Sequence, residues 1–202
     1  MIRVVREGAV WTVTLDRPEK ANSLTKAMLA ELRDVARAAA DGPNALILTG
    51  EGRVFSAGAA LDEAKAGLAT DPVWEELSGA IAALPCLTIA ALNGTLAGGA
   101  FGMALACDLR VAVPGAAFFY PVMKLGFLPQ PSDPRRLAAL VGPARARLIL
   151  MGGARLGSEE ALAFGLVDAV VPASELMPFA RALAEDAAGA TRAHVAAIKA
   201  MV

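Results

Sequence analysis

Histidine, cysteine, tyrosine and net charge are all scarce in this sequence. Its 202 residues include one histidine, two cysteines and one tyrosine, and the formal net charge is -1. A single histidine excludes a histidine metal cluster, and Cys86 and Cys107 form neither a disulfide framework nor a metal-ligand spacing. With a net charge near zero, the sequence also shows no excess of basic residues of the kind that binds nucleic acid or anionic lipid. We therefore expect no metal and no nucleic-acid partner, and a reducing cytoplasm as the location.

Charge is missing altogether from residues 87–107, a stretch about as long as a membrane-spanning helix. Asn93-Gly94 and Gly98-Gly99 interrupt this stretch with strong turn chemistry, so it predicts a buried strand, a turn and a buried helix rather than a membrane span. The N-terminus MIRVVREGAV has no apolar core of the kind found in signal peptides. The sequence is 56% hydrophobic and its mean hydropathy is +0.51. It is rich in alanine and glycine, and these small residues favour tight packing or subunit contacts.

Apolar periodicity predicts an α/β chain in which strands and helices alternate. Strands are expected at 2–6, 10–15, 45–49, 87–91 and 109–113. Apolar stripes predict helices at 24–39, 74–84, 99–106, 134–140, 143–151, 158–164 and 174–199. Ser158 is expected to cap its helix, and Gly165 suits the position just past it. This alternation implies parallel strands joined by right-handed crossovers, within one domain or one domain plus an appendage.

Two turns made of small residues are the most informative features. Each follows an apolar run that reads as a buried strand, and they are Phe55-Ser56-Ala57-Gly58-Ala59-Ala60-Leu61 and Asn93-Gly94-Thr95-Leu96-Ala97-Gly98-Gly99-Ala100. A pair of such turns can aim two backbone N–H groups at one oxygen, which is how an oxyanion hole is built. The second turn also opens a predicted helix, whose dipole would add to the field at that oxygen.

These turns and three further segments together resemble the crotonase family, also called the enoyl-CoA hydratase/isomerase family. The further segments are Leu15-Asp16-Arg17-Pro18-Glu19-Lys20-Ala21-Asn22-Ser23-Leu24, Ala106-Cys107-Asp108-Leu109 and Gly157-Ser158-Glu159-Glu160-Ala161 through Gly165-Leu166-Val167-Asp168-Ala169-Val170-Val171-Pro172. The resemblance implies an α/β crotonase-like (ClpP/crotonase) spiral of repeated β-β-α units with flanking helices over residues 1–172, and a short helical segment at 173–202. It also implies acyl-CoA ligands, a role in fatty acid metabolism, and homotrimers or hexamers.

Carried over residue by residue, the resemblance makes the backbone N–H groups of Ala59 and Gly99 the oxyanion donors. They would hold the thioester oxygen as it gains charge in an enolate, and losing one such donor typically costs about 2.7–4 kcal/mol of barrier. The alternative is that both are ordinary small residues at tight turns. Coenzyme A would enter only as part of the thioester substrate, and the residues expected to contact that substrate are Ser23, Leu24, Ala57, Gly58, Ala59, Gly98 and Gly99.

The sequence departs from the family at the residues that would move protons. Similar hydratases use two glutamates, and the corresponding positions here are Gly102 and Val122. General acid–base catalysis contributes about 10²–10⁴-fold per placed group, so little hydratase activity is expected. A family lysine that approaches the coenzyme A phosphates is replaced by Asp62, which would repel phosphate or simply be a solvated helix residue.

Other side chains offer substitutes, each with a plainer reading. Tyr120 lies beside the lost second glutamate and is a speculative proton donor, or a loop aromatic packed on the core. Asp133 precedes Pro134 and reads equally well as a helix N-cap. Lys124 could reach a phosphate or simply be solvated. Glu75 and Glu76 read as a solvent-exposed face, His194 as a surface residue, and Cys107 as buried and inert.

Two functions remain open from the sequence. The first is an acyl-CoA lyase or isomerase that works through an oxyanion hole with altered chemistry, such as decarboxylation or isomerisation. Decarboxylation needs no base, because loss of CO₂ makes the enolate directly. The second is a catalytically inactive acyl-CoA-binding paralogue or assembly subunit, which the loss of both glutamates favours.

Overall fold

Two β-sheets form the framework in the computed structural model, which describes all 202 residues. The first sheet has six strands in the order β1-β2-β3-β5-β7-β10, and the second has four in the order β4-β6-β8-β9. The strands are β1 (Ile2–Glu7), β2 (Val10–Leu15), β3 (Ala45–Gly50), β4 (Val54–Ser56), β5 (Leu87–Leu92), β6 (Thr95–Ala97), β7 (Leu109–Ala112), β8 (Ala117–Phe119), β9 (Leu156–Gly157) and β10 (Ala169–Val170).

The chain spirals because three successive strands of the first sheet are each followed at once by a short strand of the second. Thus β3 leads into β4, β5 into β6 and β7 into β8, and these successive strands pair in parallel within each sheet. Only the edge strands β1 and β9 pair antiparallel. The predicted crotonase-like spiral of β-β-α units is confirmed.

Helices return the chain from the end of one β-β pair to the start of the next. They are α1 (Lys26–Ala39), α2 (Leu61–Lys65), α3 (Val73–Ala82), α4 (Phe101–Leu105), α5 (Val122–Leu125), α6 (Asp133–Val141), α7 (Pro143–Leu150), α8 (Ser158–Phe164), α9 (Leu176–Gly189) and α10 (Arg192–Lys199). No helix combines the length and the apolar character needed to cross a bilayer. The uncharged stretch 87–107 is β5, β6, a 3₁₀ turn and α4, as the turn chemistry predicted.

One core joins the sheets to the helices. Phe55, Phe101 and Phe118 are fully buried and come from β4, α4 and β8, so the second sheet and the helix after it share one interior. Burying a side chain of this size contributes about 1.5–3 kcal/mol. The helix α1 begins where the Thr25 side chain accepts a hydrogen bond from the Met28 N–H. This core fixes the two turns that leave β4 and β6.

Several predicted boundaries were wrong. The single helix expected at 174–199 is two helices, because Thr191 begins a new one and caps it by accepting from the His194 N–H. Ser158 is the first residue of α8 rather than its cap; the cap is Gly157, whose N–H donates to the Glu160 carboxylate. Gly165 ends α8 with a φ of 80°, as expected. The short strands β4, β6, β8, β9 and β10 were not predicted, because two or three residues are too few to show a period.

Candidate active site

A buried asparagine and a serine shape the first turn, which follows β4. The Asn22 side chain accepts from the Arg17 N–H and donates to the carbonyl of Val54. Its own carbonyl accepts from the Ser56 hydroxyl at 2.8 Å, and the Ser56 oxygen accepts from the Gly58 N–H at 3.1 Å. All of these groups are buried or half-buried, so this chain of hydrogen bonds holds the Gly58 backbone rigidly.

Asn93 anchors the loop between β5 and β6, at the start of the Asn93–Ala100 segment. Its side-chain oxygen accepts from the Gly50 N–H at 3.0 Å, and its amide donates to the Gly52 carbonyl at 2.9 Å. The loop after β3 and the loop after β5 are therefore tied together by one side chain. This tie lies just before β4 and β6, the strands that lead into the turns at Gly58 and Gly98.

The two turns touch at a pair of glycines. Gly58 has a φ of 89° and Gly98 has a φ of 58°, backbone angles that residues other than glycine rarely adopt. A Cβ on Gly58 would lie 3.0 Å from the Ala97 carbonyl oxygen and 3.4 Å from the Cα of Gly98. Because the backbones are already in contact, the residues that follow, Ala59 and Gly99, face the same space.

The amides of Ala59 and Gly99 have no partner within the protein. Leu24 bridges the first turn as a parallel strand would: its N–H donates to the Gly58 carbonyl at 2.7 Å, and its carbonyl accepts from the Ala60 N–H at 2.8 Å. That register turns the Ala59 N–H away from Leu24. Gly99 lies in the first turn of a helical segment, where N–H groups lack intrahelical acceptors. Both amides are thus available to a ligand.

A cavity of about 450 Å³ lies against these two residues. Its lining is mostly apolar, and its one charged side chain is Lys65 on α2. The Trp74 ring closes one side, because a Cβ on Gly99 would lie 3.3 Å from it, and the indole N–H is fixed by a 2.8 Å hydrogen bond to the Leu68 carbonyl. The predicted site residues in the lining are Ala57, Ala59, Gly98, Gly99, Tyr120 and Val122.

Three predicted contact residues lie outside this lining. Leu24 is fully buried behind the first turn, where it positions Ala59, and Ser23 and Gly58 are likewise not part of the cavity wall. Gly102 lies in α4, directly behind the wall. Sequence reasoning missed Lys65, Trp74 and Gln130, which line the cavity from segments that match none of the recognised motifs.

Tyr120 and Asp133 form a buried pair beside the cavity. The Tyr120 ring stacks on Phe101 with centroids 5.3 Å apart, and its hydroxyl donates to Asp133 Oδ2 at 2.9 Å. Tyr120 therefore packs on the core, as the plainer reading expected, and its role as a proton donor stays a prediction. The alternative reading of Asp133 as the cap of α6 is wrong. Asp133 is the first residue of that helix, and its carboxyl group accepts a hydrogen bond from Tyr120. Burial raises the pKa of Asp133 to about 7.

The remaining candidates lie outside the cavity wall. Asp62 and Lys124 are exposed. Glu75 and Glu76 are not simply on a solvent-exposed face of α3. Glu75 accepts hydrogen bonds from Ser132, and Glu76 forms a 2.7 Å ion pair with Arg33. Cys107 is buried, and burial raises its pKa to about 12, so its thiol stays protonated and inert.

A larger hollow of about 880 Å³ lies between α9, α10 and the starts of β5 and β7, next to the exposed His194. Its main polar groups are already paired, because Lys199 bonds Asp108 at 2.7 Å and the Cys86 carbonyl at 2.8 Å. It offers no converging free donors of the kind found at Ala59 and Gly99.

Comparison with known proteins agrees with this geometry. The sequence model of the enoyl-CoA hydratase/isomerase family matches residues 5–202. A probable enoyl-CoA hydratase of Mycobacterium tuberculosis is 37% identical over 186 residues, covering 91% of this chain and 76% of that protein. The carnitinyl-CoA dehydratase of Escherichia coli is 37% identical over 207 residues, covering 98% and 78%. The crystal structure of an enoyl-CoA hydratase from Bacillus anthracis superposes with a TM-score of 0.91 at 32% identity, covering 98% and 80%.

Proposed function

Because the chain belongs to the enoyl-CoA hydratase/isomerase family, we propose that it binds an acyl-CoA thioester and stabilises the derived enolate. The observation that carries this is the pair of unpartnered amides, Ala59 and Gly99, on two turns in contact at the wall of one apolar cavity. Donors that need no reorganisation are the largest single contribution in many enzymes that stabilise an oxyanion. The thioester carbonyl oxygen would lie between them.

Hydration is not the reaction we propose. Gly102 and Val122 stand where the resemblance places the two glutamates, and the cavity lining contains no carboxylate at all. No carboxylate in the cavity wall could activate a water molecule directly. The same lack weighs against isomerisation, which requires a proton to be removed from carbon.

Decarboxylation of a malonyl-type thioester fits the residues that are present. The bond between the α-carbon and the carboxylate breaks, its electron pair forms the enolate, and CO₂ leaves without any base. The amides of Ala59 and Gly99 would stabilise the enolate oxygen, and the α-carbon then takes one proton. The apolar wall formed by residues such as Trp74 and Val122 disfavours a bound carboxylate and favours neutral CO₂.

Lys65 would serve the coenzyme A part of the ligand. It is the only charged side chain in the cavity lining and lies on α2 at the exposed side. It is one helical turn beyond Asp62, the position where the family lysine is missing. An exposed lysine suits a solvated phosphate as a mobile point charge.

The test is a panel of CoA esters scored separately for binding by calorimetry and for turnover. The panel contains acyl, enoyl and malonyl-type esters, with an S-alkyl-CoA thioether of matched chain length as the control. The thioether lacks the carbonyl oxygen, so we expect it to bind about 5–160-fold more weakly, the equivalent of two hydrogen bonds of about 0.5–1.5 kcal/mol each. Equal affinity would refute the oxyanion assignment. Binding without turnover of any ester would instead favour a binding subunit.

A further inference from the structure

Asp133 is the one residue with a buried side-chain polar atom that lacks a hydrogen-bond partner. The residue is 0% exposed; Oδ2 accepts from the Tyr120 hydroxyl, and Oδ1 accepts from nothing. Leaving a buried oxygen unsatisfied is costly, and native structures retain few such groups. The carboxyl group is therefore held by one hydrogen bond, from Tyr120, and its other oxygen is free to bind or carry a proton.

The absence of a side chain at position 102 makes room for this carboxyl group. A Cβ on Gly102 would lie 3.0 Å from Asp133 Oδ1 and 3.3 Å from Oδ2. The carboxyl group thus fills the space into which a side chain at 102 would grow. An acid from the start of α6 stands beside α4, the helix from which the resemblance would supply a glutamate.

We propose that Tyr120 and Asp133 form a proton relay for the enolate, with Tyr120 as the donor to carbon and Asp133 as the positioning residue that reloads it. This inference rests on the enolate chemistry proposed above. The Tyr120 O–H bond breaks as a C–H bond forms at the α-carbon, and the Asp133 O–H bond breaks as the Tyr120 O–H bond is remade. The negative charge of the enolate ends on the Asp133 carboxylate. After product leaves, a hydronium ion in the cavity gives a proton to the Tyr120 oxygen as the Tyr120 proton passes to the Asp133 carboxylate, which restores the acid and leaves water.

The surroundings of the pair suit this direction of transfer. The titratable groups that act on Asp133 are Tyr120 after β8, Arg136 on α6 and Glu75 on α3, while α4 carries none. Burial raises the pKa of Asp133 to about 7, with Glu75 adding to the rise and the other two opposing it. Burial and Asp133 also raise the pKa of Tyr120 above its ordinary value, so a free tyrosinate is disfavoured. The relay avoids a tyrosinate, since the oxygen gains one proton as it gives up the other.

The relay acts as a switch between two hydrogen-bond directions. When Asp133 is protonated it donates to the Tyr120 oxygen, and the Tyr120 hydrogen is free to point into the cavity. When Asp133 is ionised it accepts from Tyr120, and that hydrogen is withdrawn from the ligand. Turnover is therefore expected to fall as the pH rises through about 7.

Tyr120 is the only tyrosine, so a protein labelled with ¹³Cζ-tyrosine gives a single NMR resonance for it. We expect this resonance to shift between pH 5 and 9 with a midpoint near 7, without the large change that marks a tyrosinate. Asp133→Asn should abolish the inflection, and Asp41→Asn, at an exposed carboxylate, should leave it unchanged. A resonance that stays flat in the wild-type protein would overturn the relay whatever the ligand proves to be.

Kinetics on a malonyl-type CoA ester test the transfer itself. Tyr120→Phe and Asp133→Asn should each lower kcat at least 100-fold and remove its decline near pH 7, while the Kd of the ester changes less than about threefold. Circular dichroism checks that both variants fold. An Asp133→Asn enzyme with the wild-type rate and pH profile would overturn the relay and leave the oxyanion site intact. Failure of every ester to bind would overturn the proposed function and the relay's role in it, even if the tyrosine resonance titrates.

Discussion

The fit between Gly102 and Asp133 predicts a measurable coupling between two residues 31 positions apart. In the interior of a helix, alanine is normally about 0.8–1.0 kcal/mol more favourable than glycine. At position 102 its Cβ would lie 3.0 Å from Asp133 Oδ1, closer than well-packed atoms allow. Overpacking of this kind typically costs about 1–3 kcal/mol. We therefore expect Gly102→Ala to leave the free energy of unfolding unchanged or lower it by up to about 2 kcal/mol.

Removing the carboxyl group should reverse the effect. In an Asp133→Ala background the clash is gone, so Gly102→Ala should stabilise by close to 1 kcal/mol, which makes the interaction energy about 1–3 kcal/mol. Urea unfolding followed by the fluorescence of the buried Trp74 would measure all four proteins. Gly79→Ala in α3 is the matched control, since its Cβ meets nothing within 4 Å, and it should stabilise both backgrounds equally. Additivity of Gly102→Ala and Asp133→Ala within about 0.5 kcal/mol would refute the reasoning.

Four further predictions concern charge, chemistry and assembly. The Asp133 pKa rises on folding from 3.8 to about 7, so the native protein binds more protons than the unfolded chain in that window. The free energy of unfolding should therefore fall by about 3 kcal/mol from pH 4 to 7, and urea titrations should show Asp133→Asn flattening this fall; an equal slope in both proteins would contradict it. Restoring hydration with Gly102→Glu and Val122→Glu should fail while Asp133 is present and improve with Asp133→Gly, as an enoyl-CoA absorbance assay would show. Lys65→Ala should weaken CoA-ester binding several-fold at low salt and little at high salt in calorimetry, whereas a salt-independent loss would argue against phosphate contact. Finally, we expect a homotrimer because large apolar side chains stand exposed, and light scattering that shows a monomer at high concentration would reject it.

The sequence alone determined the features that depend on local backbone demands. Gly58 and Gly98 signalled turns because few other residues adopt their φ values, and Asn93-Gly94 signalled the break that excluded a membrane span. Together with three further segments in the same order, these turns carried the family resemblance that implied the spiral. The two-residue strands and the break before Thr191 escaped prediction, because such short elements are set by pairing and packing rather than by periodicity.

Only the tertiary structure showed which carboxyl group lies beside the position of a missing glutamate. Nothing in the spacing of Gly102, Tyr120 and Asp133 along the chain relates them. From the sequence, Asp133 could equally be a substitute acid or a helix N-cap before proline. The spiral brings the start of α6 against α4, where the absent side chain at 102 leaves room for a carboxyl group from elsewhere. Burial at that contact, and not the identity of the residue, raises the pKa of Asp133. A sequence specifies which side chains exist, but desolvation and fit between distant segments arise only when the chain is packed.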